Sequence, residues 1–200
     1  MAAQNSRFNR ILLILMVVLY VISLAAFTYA NWKVEPEHVL WSHAVNALIL
    51  SIPLVLFYGS IYVLVSAWRE HRLTGGISPR LAKVIHWAPR IAAILIIGFM
   101  SLFSLDVFET QAPPLELLGG FLIHNLPSIA MIVLLFFAWK RPAVGFVAFL
   151  IFGALFAIFF VRDFYALSNL LLFVLPILLI ACLFYIDWKW LGAPPTSAVH

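Results

Sequence analysis

The sequence predicts an all-α integral membrane protein: a bundle of six transmembrane helices, built as three helical hairpins, with both termini cytoplasmic. Three observations carry this expectation. Hydrophobic residues make up 65% of the 200-residue chain and charged ones only 10%, against roughly 25% charged in soluble globular proteins. A soluble domain of this length could not hide so much apolar surface. The apolar residues fall into six runs, each near the ~20 residues a helix needs to span a bilayer. The basic residues gather at alternate junctions between those runs, which sets the direction of insertion.

The runs are 11–31, 40–67, 90–108, 117–138, 143–161 and 167–187. Each is apolar around its whole circumference, as expected of a helix surrounded by lipid or other helices. A spanning barrel would instead need ~10-residue segments that alternate apolar and polar. Arg7 and Arg10 precede the first run, as in a signal peptide. Its apolar stretch exceeds the ~7–15 residues of a signal core, so it reads as a retained helix. Between runs two and three, "TGG" at 74–76 is a break, and Ser78-Pro79 is an N-cap followed by an N1 proline. Leu81, Val84, Ile85 and Ala88 then share one helical face, with Arg80 and Lys83 off it. That pattern fits a short amphipathic helix from Pro79 to Ala88 lying on the inner surface, or a plain connecting turn. The layout is thus an N-terminal hairpin at 1–70, a cytoplasmic loop at 71–89, a four-helix core at 90–190 and a flexible tail at 191–200.

Charge orients the bundle. Arg7, Arg10, Arg69, Arg72, Arg80, Lys83, Arg90, Lys140, Arg141 and Lys189 share one side, leaving only Lys33 and Arg162 opposite. Glu35, Glu37, Asp106, Glu109, Glu116 and Asp163 lie on that opposite side. A Lys/Arg excess marks the cytoplasmic face, so the expected location is the cell (inner cytoplasmic) membrane. The formal charge of +4 is then a topology signal, and no nucleic-acid partner is expected. Trp68, Trp87, Trp139, Trp188 and Trp190 form an inner aromatic belt, and Tyr29, Trp32 and Trp41 an outer one. The lone cysteine, Cys182, can make neither an intrachain disulfide nor a Cys-based metal site.

Three prolines fall within the runs. Pro127 is followed after eleven residues by Trp139-Lys140, and Pro176 after eleven by Trp188-Lys189. From Pro53 to Trp68-Arg69 the spacing is about one turn longer. "RILLIL" at 10–15 echoes "RIAAIL" at 90–95. Duplication explains this pattern, and so do the bare needs of a membrane hairpin. Pro53, Pro127 and Pro176 are expected helix-kink positions, serving either as shape or as hinges.

Three motifs cluster in the middle of the chain: "SLFSLDVF" from Ser101 to Phe108, "IHNLP" from Ile123 to Pro127, and "AWK" from Ala138 to Lys140. In these the chain resembles a family of small multi-spanning prokaryotic membrane proteins of unknown function. The resemblance extends more loosely to Gly153 and the Leu-Pro of the sixth run, over about 100 residues. It leaves the first two runs outside, as an addition. It implies a four-helix core, an Asp and a His at the outer end of one hairpin, and no established activity.

An ionisable residue within a span is expensive and so is a functional candidate by default. Asp106 is sixteen residues past Arg90, and His124 is sixteen before Lys140. Along regular helices both would lie ~24 Å from the inner boundary, on neighbouring antiparallel spans. Asp106 is therefore expected to pair with His124 at matching depth. Asn125 and Ser128 complete the candidate polar site, with His43, Asn46, Asn169 and the Arg162-Asp163 pair nearby. Three readings fit: a packing clasp, an outward-facing proton or solute site, or a metal or haem site. His43 lies ~39 Å up its helix, above His124, so shared ligation is poor. No metal ligand, cofactor or catalytic residue is assigned. No G-x-S-x-G, H-E-x-x-H or phosphate-loop motif is present. Gly145, Gly153 and Ala157 offer small faces for close helix packing. The expected function is a non-enzymatic structural or interaction component of the membrane. Its partners would be membrane lipid and a second copy or another membrane protein. The alternative is a small proton-linked or solute transporter or channel at the Asp106/His124 site.

Overall fold

A computed structural model describes residues 2–34, 40–109, 112–160 and 166–192. Among these residues the secondary structure is entirely helical. The elements are α1 (Ala2–Val34), α2 (Leu40–Thr74), α3 (Pro79–Leu102), a 3-10 turn (Leu105–Glu109), α4 (Pro114–Ala138) and α5 (Pro142–Phe160). The last helix, α6, begins at Ala166–Asn169 and passes through a π stretch, Leu170–Val174. It continues as Leu175–Ile186 and ends in a second π stretch, Asp187–Leu191. Six helices are long and apolar enough to cross a membrane. Glu35, Glu37, Arg162, Asp163 and the tail from 193 onward lie outside the described residues.

The helices begin and end where local chemistry dictates, and α3 departs from its apolar run at both ends. Pro79 stands at the first turn of α3, where its missing N–H is no loss. The segment expected as a separate amphipathic helix is the first third of α3, which runs unbroken through Pro89. Ile85 is fully buried, and with Leu81 and Ala88 it packs against Ala67, Leu183 and Ile186. The amphipathic face is thus covered by α2 and α6. Val84, by contrast, is exposed. At its other end α3 stops at Leu102 instead of running to 108. Ser101 Oγ donates to the Ile97 carbonyl and Ser104 Oγ to the Ser101 carbonyl. The Phe103 and Ser104 N–H groups bond three residues back. Such back-bonding competes with the α pattern and tightens the last turn.

The core is built around α6. Phe99 and Met100 of α3, Met131 and Leu135 of α4, Phe149 of α5, and Ile177, Ile180 and Phe184 of α6 form one buried cluster. α5 approaches α6 closely because it presents glycine there. A Cβ on Gly145 would lie 2.7 Å from the Phe184 ring, and one on Gly153 2.7 Å from Leu178. Both glycines were expected as small packing faces, and the geometry matches. Pro53 and Pro127 sit inside α2 and α4. Pro176 stands two residues past the π stretch, and the Leu175 N–H reaches back five residues to Leu170. The wider turn accommodates a ring that cannot join the α ladder.

Side-chain contacts show which helix ends lie together. Arg90, midway along α3, reaches Trp139 at the α4 end and Asp187 near the α6 end. His71 near the α2 end stacks on Trp190. Arg69 lies 3.7 Å over the Phe8 ring of α1. These ends carry most of the Lys and Arg, and together they form the basic end of the bundle. At the opposite end, Trp32 stacks on His43, and Phe108 packs on Phe121.

Candidate functional site

The polar residues expected at the far end from the basic cluster do not form one site. Asn125 is buried and donates to the Ser104 hydroxyl at 2.6 Å and to the Phe121 carbonyl at 3.1 Å. Ser104 passes the chain of bonds on to the Ser101 carbonyl at 2.6 Å. This ladder ties α4 to the end of α3. Ser128, one turn further along the same face, is buried, and its hydroxyl has no bonding partner among the described residues. His124 is exposed, and its Nδ1 donates to the Gly120 carbonyl of its own helix at 2.9 Å. Asp106 is exposed on the 3-10 turn.

No hydrogen bond or ion pair joins Asp106 to His124, so the expected pairing is not made. Two causes are visible. The depth count assumed regular helix as far as Asp106, whereas α3 ends four residues earlier. And Asn125 takes the face toward Ser104, so His124, about 100° around the helix, points elsewhere. His43 stacks on Trp32 of α1. Among the described residues no three His, Cys, Asp or Glu side chains gather as a metal site would require.

Among the described residues, the buried Arg and Asp lie instead at the basic end. Arg90 and Asp187 are each 2% exposed. Arg90 Nη1 donates to Asp187 Oδ2 at 2.7 Å. Its Nε and Nη2 both donate to the Trp139 carbonyl, at 3.2 and 2.9 Å. Nη1 also reaches the His86 carbonyl. One planar guanidinium, with five donors in a fixed fork, therefore joins the middle of α3, the α4 end and the α6 end. Its face lies 5.8 Å from the Phe184 ring centroid. The other carboxylate oxygen, Asp187 Oδ1, is 3.5 Å from His86 Nδ1. His86 is half exposed, so it forms the wet rim of an otherwise dry node.

Beside this node, α2 brings further polar groups inside. The Ser66 hydroxyl, Arg69 Nε and His71 Nδ1 are buried without hydrogen-bond partners among the described residues. In the 70–78 loop, the Glu70 carboxylate accepts from the Ser78 N–H.

The sequence reading passed over Arg90 and Asp187 because each sits at the edge of a run, where charge marks topology. One signal was available. Of the chain's eight acids, only Glu70 and Asp187 fall at the basic end. Both have specific bonds there: Glu70 on the Ser78 N–H and Asp187 on Arg90. An acid that breaks a charge asymmetry is a candidate for a specific bond.

A family model described as a domain of unknown function, DUF7670, matches residues 78–194. The chain belongs to this family. The DUF7670 segment opens at Ser78, the residue that caps α3. It contains every member of the Arg90–Asp187 node and of the Ser104–Asn125 ladder. α1 and α2 lie wholly before it. No curated protein and no solved structure matches the chain.

Proposed function

We propose that this protein is a non-enzymatic multi-pass membrane component, a helical scaffold that works through contacts with other membrane constituents. In this reading three hairpins cross the cell membrane with both termini in the cytoplasm. The four-helix DUF7670 core is the working unit, and the N-terminal hairpin is an attachment to it. One observation supports the reading above the others. The two polar nodes sit at opposite ends, and between them the centre is filled by packed Phe99, Met131, Phe149, Ile177 and Phe184. Interiors close-packed in this way leave no polar route for a solute.

The test is reconstitution in vesicles, with proton and small-solute flux measured beside in-membrane crosslinking. The expected outcome is flux at the protein-free background together with a defined crosslinked assembly, homo-oligomeric or with another membrane protein. Protein-dependent flux would sink the scaffold reading. Topology has its own check. Membrane-impermeant labels applied from outside should miss single cysteines placed beside Arg80 or Lys140.

A second reading, the small proton-linked or solute transporter, draws on the unpartnered Ser128 hydroxyl below Asn125. A polar recess entered from that end would place Asn125 and Ser128 on its wall, with Asp106 and His124 outside its mouth. Flux abolished by Ser128→Ala and Asn125→Ala would favour it.

A further inference from the structure

The turn between α4 and α5 stands over a concavity of about 790 Å³. Its walls are apolar: Ile132, Phe136 and Phe137 of α4 and Val144 of α5, with Trp139, Lys140 and Arg141 at the basic end. The size falls within the ~300–1,000 Å³ of small-molecule sites. The lining is divided along its length, with hydrocarbon along the helices and two cations on the turn.

Those cations are uncommitted and firmly placed. Lys140 and Arg141 are exposed. The two ion pairs made by described residues both use Asp187 and neither of these side chains. Their backbone is held from below, because the Trp139 carbonyl takes two bonds from the buried Arg90 guanidinium. The Arg141 N–H returns to the Ala138 carbonyl, and its own carbonyl accepts from Val144 and Gly145. A turn fixed in this way presents its charges without first being ordered, which lowers the cost of binding.

We infer that this groove binds one anionic phospholipid, with an acyl chain along Ile132, Phe136 and Val144 and the headgroup phosphate on Lys140 and Arg141. Charge complementarity chooses the occupant. An apolar slot alone would take any lipid tail. Two unpaired cations at its polar end favour a headgroup with net negative charge, and Arg matches a phosphate with paired donors. Trp139 stands at the junction of tail and headgroup, where amphipathic rings are favoured. The inference requires that the bundle sit in a bilayer, but not that it be a scaffold. A transporter could carry the same site, so flux results do not bear on it.

The test is native mass spectrometry of the full chain in mild detergent. The protein is titrated with phosphatidylglycerol or with phosphatidylcholine carrying the same acyl chains. Phosphatidylglycerol should form a one-lipid adduct at lower concentration than phosphatidylcholine. Each basic residue near an anionic surface contributes about a fivefold gain, so K140Q/R141Q should weaken the adduct roughly 30-fold. R80Q/K83Q removes equal charge from the same end away from the groove and should leave the adduct in place. Val144→Trp keeps both cations but fills the slot, and it should weaken the adduct as well. Wild-type binding by K140Q/R141Q or by Val144→Trp would overturn the site. So would equal affinity for the two lipids, or an equal loss in R80Q/K83Q, which would assign the effect to the general charge of that end.

Discussion

The two ends of the bundle handle polar groups in different ways. At the basic end, Arg90 and Asp187 are withdrawn from solvent and bonded across three helices. At the opposite end, Asp106 and His124 stay exposed, whereas the neutral Asn125 and Ser104 are buried and bonded to each other. The difference follows from cost. A buried charge must be paired and hydrogen-bonded to be tolerated, whereas a neutral amide needs only a neighbour. Position near a span does not identify a structural charge; complete bonding does. A charge left at the surface is cheap to change and one at the node is not.

The largest effect should come from Asp187→Ala or Arg90→Ala. Removing one partner of a buried pair leaves the other uncompensated, at a cost of ~3–5 kcal/mol. Thermal unfolding in detergent should show a large loss for each single variant. The double variant should be less destabilised than the two singles added together. Strict additivity would mean the pair is not coupled and would break the contrast between the ends.

Next in size is Gly145→Leu, which drives side-chain atoms into the Phe184 ring, the ring that also lies beneath Arg90. Overpacking of this kind costs ~1–3 kcal/mol. The same unfolding assay should place it below the charge variants. A neutral result would show that α5 can move away from α6.

Asn125→Ala should have a smaller effect, near the ~0.6 kcal/mol average for interhelical hydrogen bonds in membranes. Ser104→Ala should match it, with little added loss in the double variant. Smallest of all are Asp106→Asn and His124→Gln, within about 0.5 kcal/mol of wild type and additive. Coupling between those two would restore the pairing that the structure does not make and erase the distinction drawn above.

The six helices were legible in the sequence because each is a long apolar run, and bilayer thickness allows little else. The small glycine face of α5 was legible too, but not that α6 is the helix packed against it. The error over Asp106 arose from a boundary. Ser101 and Ser104 divert the backbone out of the α pattern, and hydropathy does not register a hydroxyl bonding to its own helix. The start of α3 was misjudged as well: the segment from Pro79 to Ala88 reads as a short helix of its own or a connecting turn, yet α3 runs through Pro89 without a break. The Arg90–Asp187 node was hidden because its members are 97 residues apart. Only the packing of α3 against α6 reveals that they meet.

The π stretch at Leu170–Val174 bears on how relatives of this chain should be aligned. A π turn holds about one residue more than an α turn, and one residue corresponds to about 100° of rotation. The two parts of α6 are therefore phased differently around one axis. A relative one residue shorter here, with a plain α helix, would display the same faces above and below. An ungapped alignment of the two would match residues correctly on one side of the stretch and shift every position on the other by one. On the shifted side, residues that face the core would be compared with residues that face outward. Substitution patterns in this helix should therefore be read with a one-residue gap allowed between 170 and 174, before any position in it is judged variable or invariant.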